Sequence, residues 1–426
     1  MKVVHISTNA SGGGAAIAAL RIHQRLLDRG FDSVLLVMNQ PATILERVEV
    51  VQLRARDKAR WRLDALKRAS LGGPLHVHRR DGFSFNMHGY HPVHLNPHVS
   101  NADIVCLYWV GHGFVSPQML RRFRQPLVWR LSDMWPFTGG CHYSSGCDRY
   151  AVECGACPQL KSNLDLDPTR ALHSLKKRAW QDIGISVVSP STWIQDKARR
   201  SSLFRTKEHY LIATGVDQHV FRPRDRNLVR ASLGVEARHV MVLFGAINAD
   251  PRKGIEHLER LVHRTADRGY RYFVFGPPPR EGGFQCPGVT FLGTVSDEVS
   301  LSELYSAADV FLAPSLEDNL PNTVLESMAC GTPVVSFKDS GGVVDVIEHL
   351  DSGYLADRSQ PDGLEQGVTW TLDANRTRML SEKVRGRIVP RFTLDRQVDQ
   401  YVELYRALLQ RGAPGDSMGQ GYSEST

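Results

Sequence analysis

Apolar residues at the start of the chain follow first a strand pattern, then a helical pattern, then a strand pattern again. A β-branched run at residues 2–7 precedes a Gly-rich turn at residues 11–14. The apolar stripe that follows predicts a helix over residues 15–29, and Gly30 is placed to end it. Residues 31–38 form the next apolar run. This order predicts a βαβ unit with parallel strands.

Strand and helix patterns go on alternating along the rest of the chain. Apolar runs predict buried strands at residues 103–110, 127–131 and 184–189. Pro223 and mixed charges interrupt the alternation, which then restarts near residue 235. The second series has predicted strands at 240–244, 272–275, 289–292, 309–313 and 333–337, and predicted helices at 254–268, 301–307 and 322–329. Two such series predict an α/β protein with two doubly wound, Rossmann-like domains.

The break between the two series divides the chain into domains. We place an N-terminal domain at residues 1–217 and a C-terminal domain at residues 218–393. A last helix, at residues 394–410, is predicted to pack back on the N-terminal domain. Residues 411–426 are rich in glycine and serine and poor in large apolar residues. Such a segment cannot bury enough apolar surface to fold, so we predict a disordered tail.

Composition and charge narrow the class of protein. Of the 426 residues, 42% are hydrophobic, which is enough for packed cores. We find no run of roughly 18 apolar residues that would span a membrane. The chain start also lacks the apolar core of a secretory signal, so we expect a cytoplasmic protein. The net charge of +7 suits nucleic acid, an anionic membrane or phosphorylated substrates alike.

Part of the positive charge is concentrated in residues 54–68, where seven Lys and Arg residues stand against two Asp residues. Trp61, Leu63 and Leu66 give this predicted helix an apolar side. A basic amphipathic helix can lie on an anionic membrane surface, here the inner face of the cell membrane. The alternative is a solvated helix packed on the N-terminal domain, and the sequence leaves both open.

The turn formed by Gly12, Gly13 and Gly14 is a candidate anion site. Glycines let a ligand approach the backbone at a helix N-terminus, where the macrodipole favours negative charge. The turn does not match a dinucleotide fingerprint, because Ile17 stands where the third glycine would be. No acidic residue ends the second strand either. A nicotinamide oxidoreductase is therefore disfavoured, and a tight turn needed only for packing is the alternative.

Two carboxylates follow the predicted strand at residues 309–313. Asp318 lies in the loop after this strand and Glu326 in the next predicted helix, eight positions later, with Glu317 as a near neighbour of Asp318. Open α/β sheets bind ligands at the carboxyl ends of their strands, so we expect this loop to face the cleft. Carboxylates there can accept hydrogen bonds from sugar hydroxyls. The alternative is a surface loop with incidental acids.

Two cations follow the predicted strand at residues 240–244. Arg252 and Lys253 stand directly before Gly254 at a predicted helix start. Positive charges there can neutralise a diphosphate leaving group without a metal ion. In isolation, an Arg-Lys pair usually lies on the solvated surface without a functional role. Its assignment to a diphosphate site therefore depends on the neighbouring motif.

The stretch at residues 313–335 resembles the donor signature of family 4 glycosyltransferases of GT-B fold. The match consists of a Pro-Ser pair, an acidic residue, seven further residues, a glutamate and the run Met-Ala-Cys-Gly-Thr-Pro. The resemblance implies that Asp318, one methylene shorter than the usual glutamate, contacts the transferred sugar, and that Glu326 holds the ribose. It maps the family's diphosphate-binding lysine to Lys253. The family often has an arginine right after the strand glycine, where this chain has Ala246, and Arg252 can take its place.

The same resemblance implies a retaining transferase that needs no cofactor for catalysis, with two Rossmann-like domains facing across a cleft. It places further residues beside the donor, near its base, sugar or phosphates. These are Asn322, Gly276, Gly293, Gly341 and Gly342.

The N-terminal domain resembles those of bacterial exopolysaccharide, capsule and colanic-acid glycosyltransferases, most clearly at residues 133–143. Tyr108 and Ser132 stand where this group commonly has histidines, so the usual histidine roles cannot be transferred. We assign Asp133 to the catalytic centre. Tyr108 and His112 join the Gly-rich turn on the acceptor side, although a loop histidine is more often structural.

Four cysteines form the pattern C-x5-C-x6-C-x2-C within one loop, at Cys141, Cys147, Cys154 and Cys157. The final C-x-x-C is one arm of many zinc sites, so we predict a structural zinc, with free thiols as the alternative. A zinc finger for nucleic acid is disfavoured because Arg149 is the only Lys or Arg in this loop.

These observations predict a glycosyltransferase that uses a nucleoside diphosphate sugar and a saccharide or lipid-linked saccharide acceptor in bacterial surface polysaccharide synthesis. Nucleic acid is not an expected partner. Two alternatives remain open: a GT-B sugar-nucleotide epimerase and a protein that binds a sugar nucleotide without catalysis.

Overall fold

The computed structural model describes residues 1–54, 57–58, 82–245, 250–277 and 286–412. Within them the chain forms two parallel β-sheets, each covered by helices. This confirms the predicted α/β class with two Rossmann-like domains. The basic segment predicted at residues 54–68 lies almost entirely outside the described residues.

The first sheet has, among the described residues, seven strands in the order β3-β2-β1-β4-β5-β6-β7, and all neighbouring pairs are parallel. The inner strands β4, β5 and β6 are buried at every position, as expected for a parallel sheet covered on both faces. The strands are β1 (Lys2–Ser7), β2 (Asp32–Val37), β3 (Val48–Val50), β4 (Ile104–Leu107), β5 (Leu127–Arg130), β6 (Ile185–Ser189) and β7 (Glu208–Leu211).

The described helices of this domain include the one predicted after the Gly-rich turn. Gly12 and Gly13 have φ values of 76° and 119°, which glycine adopts without strain, and the helix begins at the next residue. The helices are α1 (Gly14–Asp28), α2 (Pro97–Ser100), α3 (Pro168–Trp180) and α4 (Thr192–Arg200).

The second sheet has, in the described part of the chain, six parallel strands in the order β10-β9-β8-β11-β12-β13. Its strands are β8 (Val240–Gly245), β9 (Tyr270–Phe275), β10 (Val289–Gly293), β11 (Val310–Ala313), β12 (Val334–Phe337) and β13 (Gly353–Ala356). Its helices are α5 (Arg226–Ser232), α6 (Ile255–Arg264), α7 (Glu298–Ala307), α8 (Asn322–Ala329), α9 (Gly363–Ala374) and α10 (Met379–Ile388).

The last described helix, α11 (Leu394–Gly412), packs on the first sheet's side of the molecule. Val398 and Tyr401 share one apolar cluster with Ile22 and Leu26 of α1. The helix continues two residues into the segment predicted as a tail, and the rest of that segment lies outside the described residues. The chain therefore returns to its N-terminal half after completing the second sheet.

Several elements were not predicted from the sequence. Strands β3, β7 and β13 lie at sheet edges, where partial exposure weakens the apolar pattern. The helix predicted at residues 254–268 is shorter, because α6 begins after the left-handed Gly254 and ends at Arg264, where a 3-10 turn at Ala266–Arg268 follows. Among the described helices, none has the length and apolar content needed to cross a bilayer.

Candidate active site

An ion cluster lies at the carboxyl ends of β8 and β11, which are neighbouring strands at the centre of the second sheet. The turn after β8 carries Arg252 and Lys253, and the loop after β11 carries Asp318. Lys253 Nζ lies 2.6 Å from Asp318 Oδ2, and Arg252 Nη1 lies 3.4 Å from the same oxygen. The structure thus brings together three of the four residues that the sequence assigned to catalysis.

Three glycines allow the backbone to approach closely around this cluster. A Cβ on Gly254 would lie 1.9 Å from the Pro314 carbonyl oxygen, so the turn after β8 can touch the loop after β11 only with glycine there. A Cβ on Gly341 would lie 1.9 Å from the carbonyl oxygen of Asp318. A Cβ on Gly342 would lie 1.8 Å from that of Asn319. The predicted late glycine pair therefore supports the loop that presents Asp318.

The Asp318 carboxyl is nearly buried, with 9% of its side chain exposed. Burial alone would raise its pKa, but the charges of Lys253 and Arg252 outweigh burial and hold the pKa below its usual range. The group therefore stays ionised at neutral pH. Arg252 also pairs with Asp250, whose Oδ2 lies 2.9 Å from Arg252 Nη2. Two cations therefore stand beside two carboxylates, and an anionic ligand would take over part of this pairing.

Glu326 lies on α8 and has different partners from Asp318. Its Oε1 accepts a hydrogen bond from Arg21 Nη2 at 2.8 Å, and its Oε2 accepts one from the Tyr305 hydroxyl at 3.0 Å. Asp318 and Glu326 are thus bound to separate cations. Sequence analysis missed Arg21. A signal was present, since Arg21, Arg25 and Arg29 recur every four residues along α1.

The loop after β11 also contacts the first domain. Asn319 Nδ2 donates to the carbonyl oxygens of Leu131 and Ser132 at 3.0 and 3.2 Å, and its Oδ1 accepts from Ser191 Oγ at 2.8 Å. Glu317 accepts a hydrogen bond from the backbone N–H of Ser145 at 2.9 Å. Glu317 thus faces the first domain, and Asn319, which the sequence analysis did not single out, joins the two domains.

Asn322 and the Gly-rich turn face each other. A Cβ on Gly14 would lie 3.7 Å from Asn322 Nδ2, so the start of α1 approaches the start of α8. Further along the same edge of the second sheet, the N–H of Gly276 donates to the Gly293 carbonyl at 2.9 Å. This hydrogen bond joins the carboxyl ends of β9 and β10. The predicted donor residues are therefore spread along one edge of the sheet.

On the first domain, Asp133 belongs to a hydrogen-bonded chain of side chains. Its Oδ2 lies 2.6 Å from His142 Nδ1, and His142 Nε2 lies 2.9 Å from Ser84 Oγ. The other oxygen, Oδ1, accepts from the Trp135 backbone N–H at 2.9 Å. His142 was missed, although it lies inside the 133–143 stretch that carried the resemblance. The arrangement fixes the carboxylate of Asp133 just after β5.

Tyr108 is not available at the surface of the cleft, which corrects its assignment to the acceptor side. Only 1% of it is exposed, and its hydroxyl lies 3.0 Å from His5 Nδ1 inside the core. The tyrosine ring fills space between apolar neighbours, so the residue is structural. His112 is exposed, has a left-handed backbone with φ 56°, and its ring meets that of Trp109 at 4.9 Å.

Aromatic rings connect the two halves of the site. The guanidinium of Arg252 lies 3.9 Å from the centre of the Tyr143 ring, a distance at which a cation is attracted to the ring face. Tyr143 in turn stacks on Trp193 of α4, with ring centres 6.2 Å apart. A cation of the second domain is thus held by the loop that follows Asp133 in the first.

The four loop cysteines, Cys141, Cys147, Cys154 and Cys157, line one cavity of about 20 Å³, and all are free thiols. The buried ammonium of Lys176 on α3 lies beside this cavity, donates to the Thr138 carbonyl at 3.0 Å, and interacts electrostatically with two of the thiols. Among the described residues, however, no three His, Cys, Asp or Glu side chains are grouped to hold a metal ion.

Comparison with known proteins agrees with this geometry. Residues 238–374 match the family described as glycosyl transferases group 1. An uncharacterized glycosyltransferase of Methanocaldococcus jannaschii is 27% identical over 73% of this chain and 77% of its own length. The colanic acid biosynthesis glycosyl transferase WcaC of Escherichia coli is 24% identical over 79% of this chain and 83% of its own.

A solved structure shares the fold over almost the whole molecule. It is that of Anabaena HepE in complex with UDP and glucose, with a TM-score of 0.65 and 19% identity over 96% of this chain and 100% of the other. Residues 238–374 include β8, β11, α8 and the Asp318 ion cluster, so the matched region covers the part of the candidate site that lies on the second sheet. The chain is therefore a glycosyltransferase of GT-B fold that carries a group 1 domain.

Proposed function

We propose that this enzyme moves a sugar from a nucleoside diphosphate sugar to a saccharide or lipid-linked saccharide, with retention of anomeric configuration, in bacterial surface polysaccharide synthesis. The observation that carries the proposal is the cluster of Asp318, Lys253 and Arg252 at the carboxyl ends of β8 and β11. Two names support it: HepE was solved with UDP and glucose, and WcaC is assigned to colanic acid biosynthesis.

On the donor side, Lys253 and Arg252 bind the diphosphate. When the bond between the anomeric carbon and the diphosphate oxygen breaks, negative charge develops on that oxygen, and the two cations stabilise it. The donor phosphates take over part of the pairing with these cations, and Asp318 then accepts hydrogen bonds from hydroxyls of the transferred sugar. Glu326 accepts hydrogen bonds from the ribose.

On the acceptor side, Asp133 and His142 orient the attacking hydroxyl. The new bond forms on the face of the sugar from which the diphosphate leaves, and the proton of the acceptor hydroxyl passes to the departing diphosphate. Contacts such as that between Asn319 and Ser191 hold the two domains together around this site. Closure keeps water away from the anomeric carbon and so limits hydrolysis of the donor.

A structural zinc ion remains a proposal for the loop at residues 139–169. The donor set fits, because four thiols surround one cavity and a buried lysine beside them would balance the charge of thiolate ligands. Since no described group is yet close enough to hold a metal ion, the sulfur atoms would have to draw together on binding. The ion would hold the loop and take no part in transfer.

Location at a membrane is a separate proposal. We infer a cytoplasmic enzyme that reaches lipid-linked acceptors through the basic segment at residues 54–68, which would dock on anionic lipid. That segment's positive charge supports the proposal. Binding to vesicles that weakens with rising salt would be the expected behaviour.

A panel of nucleoside diphosphate sugars, incubated with the full chain and saccharide acceptors, tests the proposed function. We expect acceptor-dependent release of nucleoside diphosphate that survives EDTA in a short assay, because Lys253 and Arg252 supply the positive charge. Lys253→Gln should lower kcat on the order of a hundredfold. The control Lys338→Gln, which loses an exposed ion pair with Asp357, should behave like the wild type.

Other outcomes would point to the alternatives. Turnover of the sugar nucleotide without any acceptor would indicate an epimerase. Tight binding without turnover on any acceptor would indicate a protein that only binds sugar nucleotides. Loss of activity in EDTA that magnesium restores would contradict the role given to Lys253 and Arg252.

A further inference from the structure

Arg21 of α1 crosses from the first domain to two carboxylates of the second. Its Nη2 lies 2.8 Å from Glu326 Oε1 on α8 and 2.7 Å from Glu298 Oε1 on α7. Its Nε donates to the same oxygen of Glu298 at 3.0 Å. The guanidinium also lies 5.2 Å from the centre of the Phe221 ring. One side chain thus contacts two helices of the second domain and the segment that connects the domains.

Burial makes the pair with Glu326 more consequential than the pair with Glu298. Only 9% of the Arg21 side chain and 5% of the Glu326 side chain are exposed, against 40% for Glu298. A buried carboxylate that loses its cation is strongly destabilised, whereas a half-exposed one is rehydrated at little cost. Arg21 is therefore the cation that compensates the buried carboxylate of Glu326.

We propose that Arg21 is a positioning residue of the donor site, which orients the Glu326 carboxylate for the ribose and does so only when the two domains are closed. This inference rests on the proposed function, in which Glu326 holds the ribose. Arg21 and Tyr305 each occupy one position on the two carboxylate oxygens. Each oxygen can accept a further hydrogen bond, so capacity for the ribose hydroxyls remains.

The position of Arg21 explains the link to closure. It lies on α1, the helix that begins at the Gly-rich turn and approaches Asn322 at the start of α8. Since Arg21 and Glu326 belong to different domains, their contact breaks if the cleft opens. An open enzyme would hold Glu326 without its cation, and a closed one holds it oriented. Closure and competence to bind the donor are thereby coupled.

Arg25, one helical turn further along α1, provides a matched control. It pairs with Asp217 at 2.8 Å and with Asp395 at 3.0 Å, at the connection between the domains and at the start of α11. It is an arginine of the same helix, and it also lies 3.7 Å from Asp28. These acidic partners differ from those of Arg21, so the removal of Arg25 should affect stability without affecting the donor site.

The experiment compares wild type, Arg21→Gln, Arg21→Lys and Arg25→Gln as full-length proteins. Calorimetry gives the Kd of whichever of UDP, GDP or ADP the wild type binds most tightly, and thermal unfolding gives Tm. We expect Arg21→Gln to raise Kd about tenfold or more, and Arg21→Lys to recover part of the loss because it keeps the charge. Arg25→Gln should lower Tm and leave Kd unchanged.

A second background tests whether Arg21 acts through Glu326. The double variant Arg21→Gln with Glu326→Gln has no buried unpaired charge, so it also serves if Arg21→Gln alone does not fold. We expect it to bind the nucleotide as Glu326→Gln does, with no further loss. A further tenfold loss in that background would mean that Arg21 touches the nucleotide itself, and the positioning role would be overturned.

The outcomes also separate this inference from the proposed function. If the wild type binds and transfers while Arg21→Gln keeps its nucleotide Kd, only the role of Arg21 is wrong. If the wild type binds none of the three nucleotides and transfers no sugar, the proposed function fails and the inference fails with it.

Discussion

At the scale of single residues, Asp318 and Glu326 illustrate how two carboxylates of one motif receive different tasks. Asp318 pairs with Lys253 and Arg252, which are the cations suited to a diphosphate. Glu326 accepts hydrogen bonds from Arg21 and Tyr305, on the side of α8 that faces α1 and α7. Removing the charge of Asp318 should therefore free Lys253 and Arg252 for the nucleotide. Removing the charge of Glu326 should take away a hydrogen-bond partner of the ribose.

We predict opposite effects of Asp318→Asn and Glu326→Gln on nucleotide binding. Asp318→Asn should lower kcat strongly but leave the affinity for the free nucleoside diphosphate equal or higher, because Lys253 and Arg252 lose a competing anion. Glu326→Gln should weaken that affinity about tenfold or more, since hydrogen bonds to charged groups contribute roughly 1.5–3 kcal/mol each. Calorimetry with the free nucleotide measures both.

Glu317→Gln is the matched control for these two variants, because Glu317 is adjacent in sequence but contacts the first domain at Ser145. It should keep most nucleotide affinity. If Asp318→Asn lost nucleotide binding while Glu326→Gln kept it, the assignment of the two acids would have to be reversed.

At the scale of elements, the cysteine loop lies between β5 and α3 and follows directly on Asp133. Gly139 donates its N–H to Cys154 Sγ at 3.2 Å, and Asp167 accepts from the Cys157 N–H at 2.8 Å. The loop also presents Tyr143 to Arg252. Contacts that fix the conformation of this loop therefore also fix one wall of the cleft, so a change at the four thiols should affect the stability of both.

We predict about one zinc ion per chain in metal analysis of the purified protein, because four thiols around one cavity match the ligand set of structural zinc sites. Cys154→Ser should lower Tm and the zinc content together, with a smaller change in nucleotide affinity. Cys286→Ser, at a buried cysteine far along the chain, is the control and should keep the zinc. Zinc-free protein that is fully folded would reject the prediction.

At the scale of the whole molecule, the first domain contains buried histidines that must stay neutral. His5, His23 and His173 are fully buried, and burial lowers the pKa of each. For His173 the pKa is lowered to about 4. The unfolded chain binds protons at these sites between that value and the ordinary histidine pKa, so stability falls as the pH decreases through this window.

We predict that the free energy of unfolding decreases between about pH 7 and about pH 5, and that His173→Gln removes part of this decrease. A shift of this size contributes about 2 kcal/mol over that interval for a single buried histidine. Denaturant titrations at several pH values measure it. His219→Gln, at an exposed histidine, should retain the full pH dependence. Equal pH dependence in wild type and His173→Gln would contradict the prediction.

The sequence by itself determined the fold class and the donor motif. Parallel strands buried on both faces leave continuous apolar runs, and helices between them leave a helical period, so the inner strands of both sheets could be predicted from local pattern. Asp318, Lys253 and Arg252 were assigned to one catalytic centre by their resemblance to a family motif, and parallel strands bring their carboxyl ends to one edge, but the ion pairs among the three were not predicted. These features depend on short stretches of chain and on one rule of topology.

Only the tertiary structure decided which side chains meet across the cleft. Arg21 and Glu326 are 305 positions apart, so no local pattern could pair them. The same holds for Asn319 with Ser191. Tyr108, which was assigned to the acceptor side, lies in the core, where its hydroxyl meets His5. Charges and hydrogen bonds between domains depend on how two separately folded surfaces fit, and that fit is a property of the assembled chain.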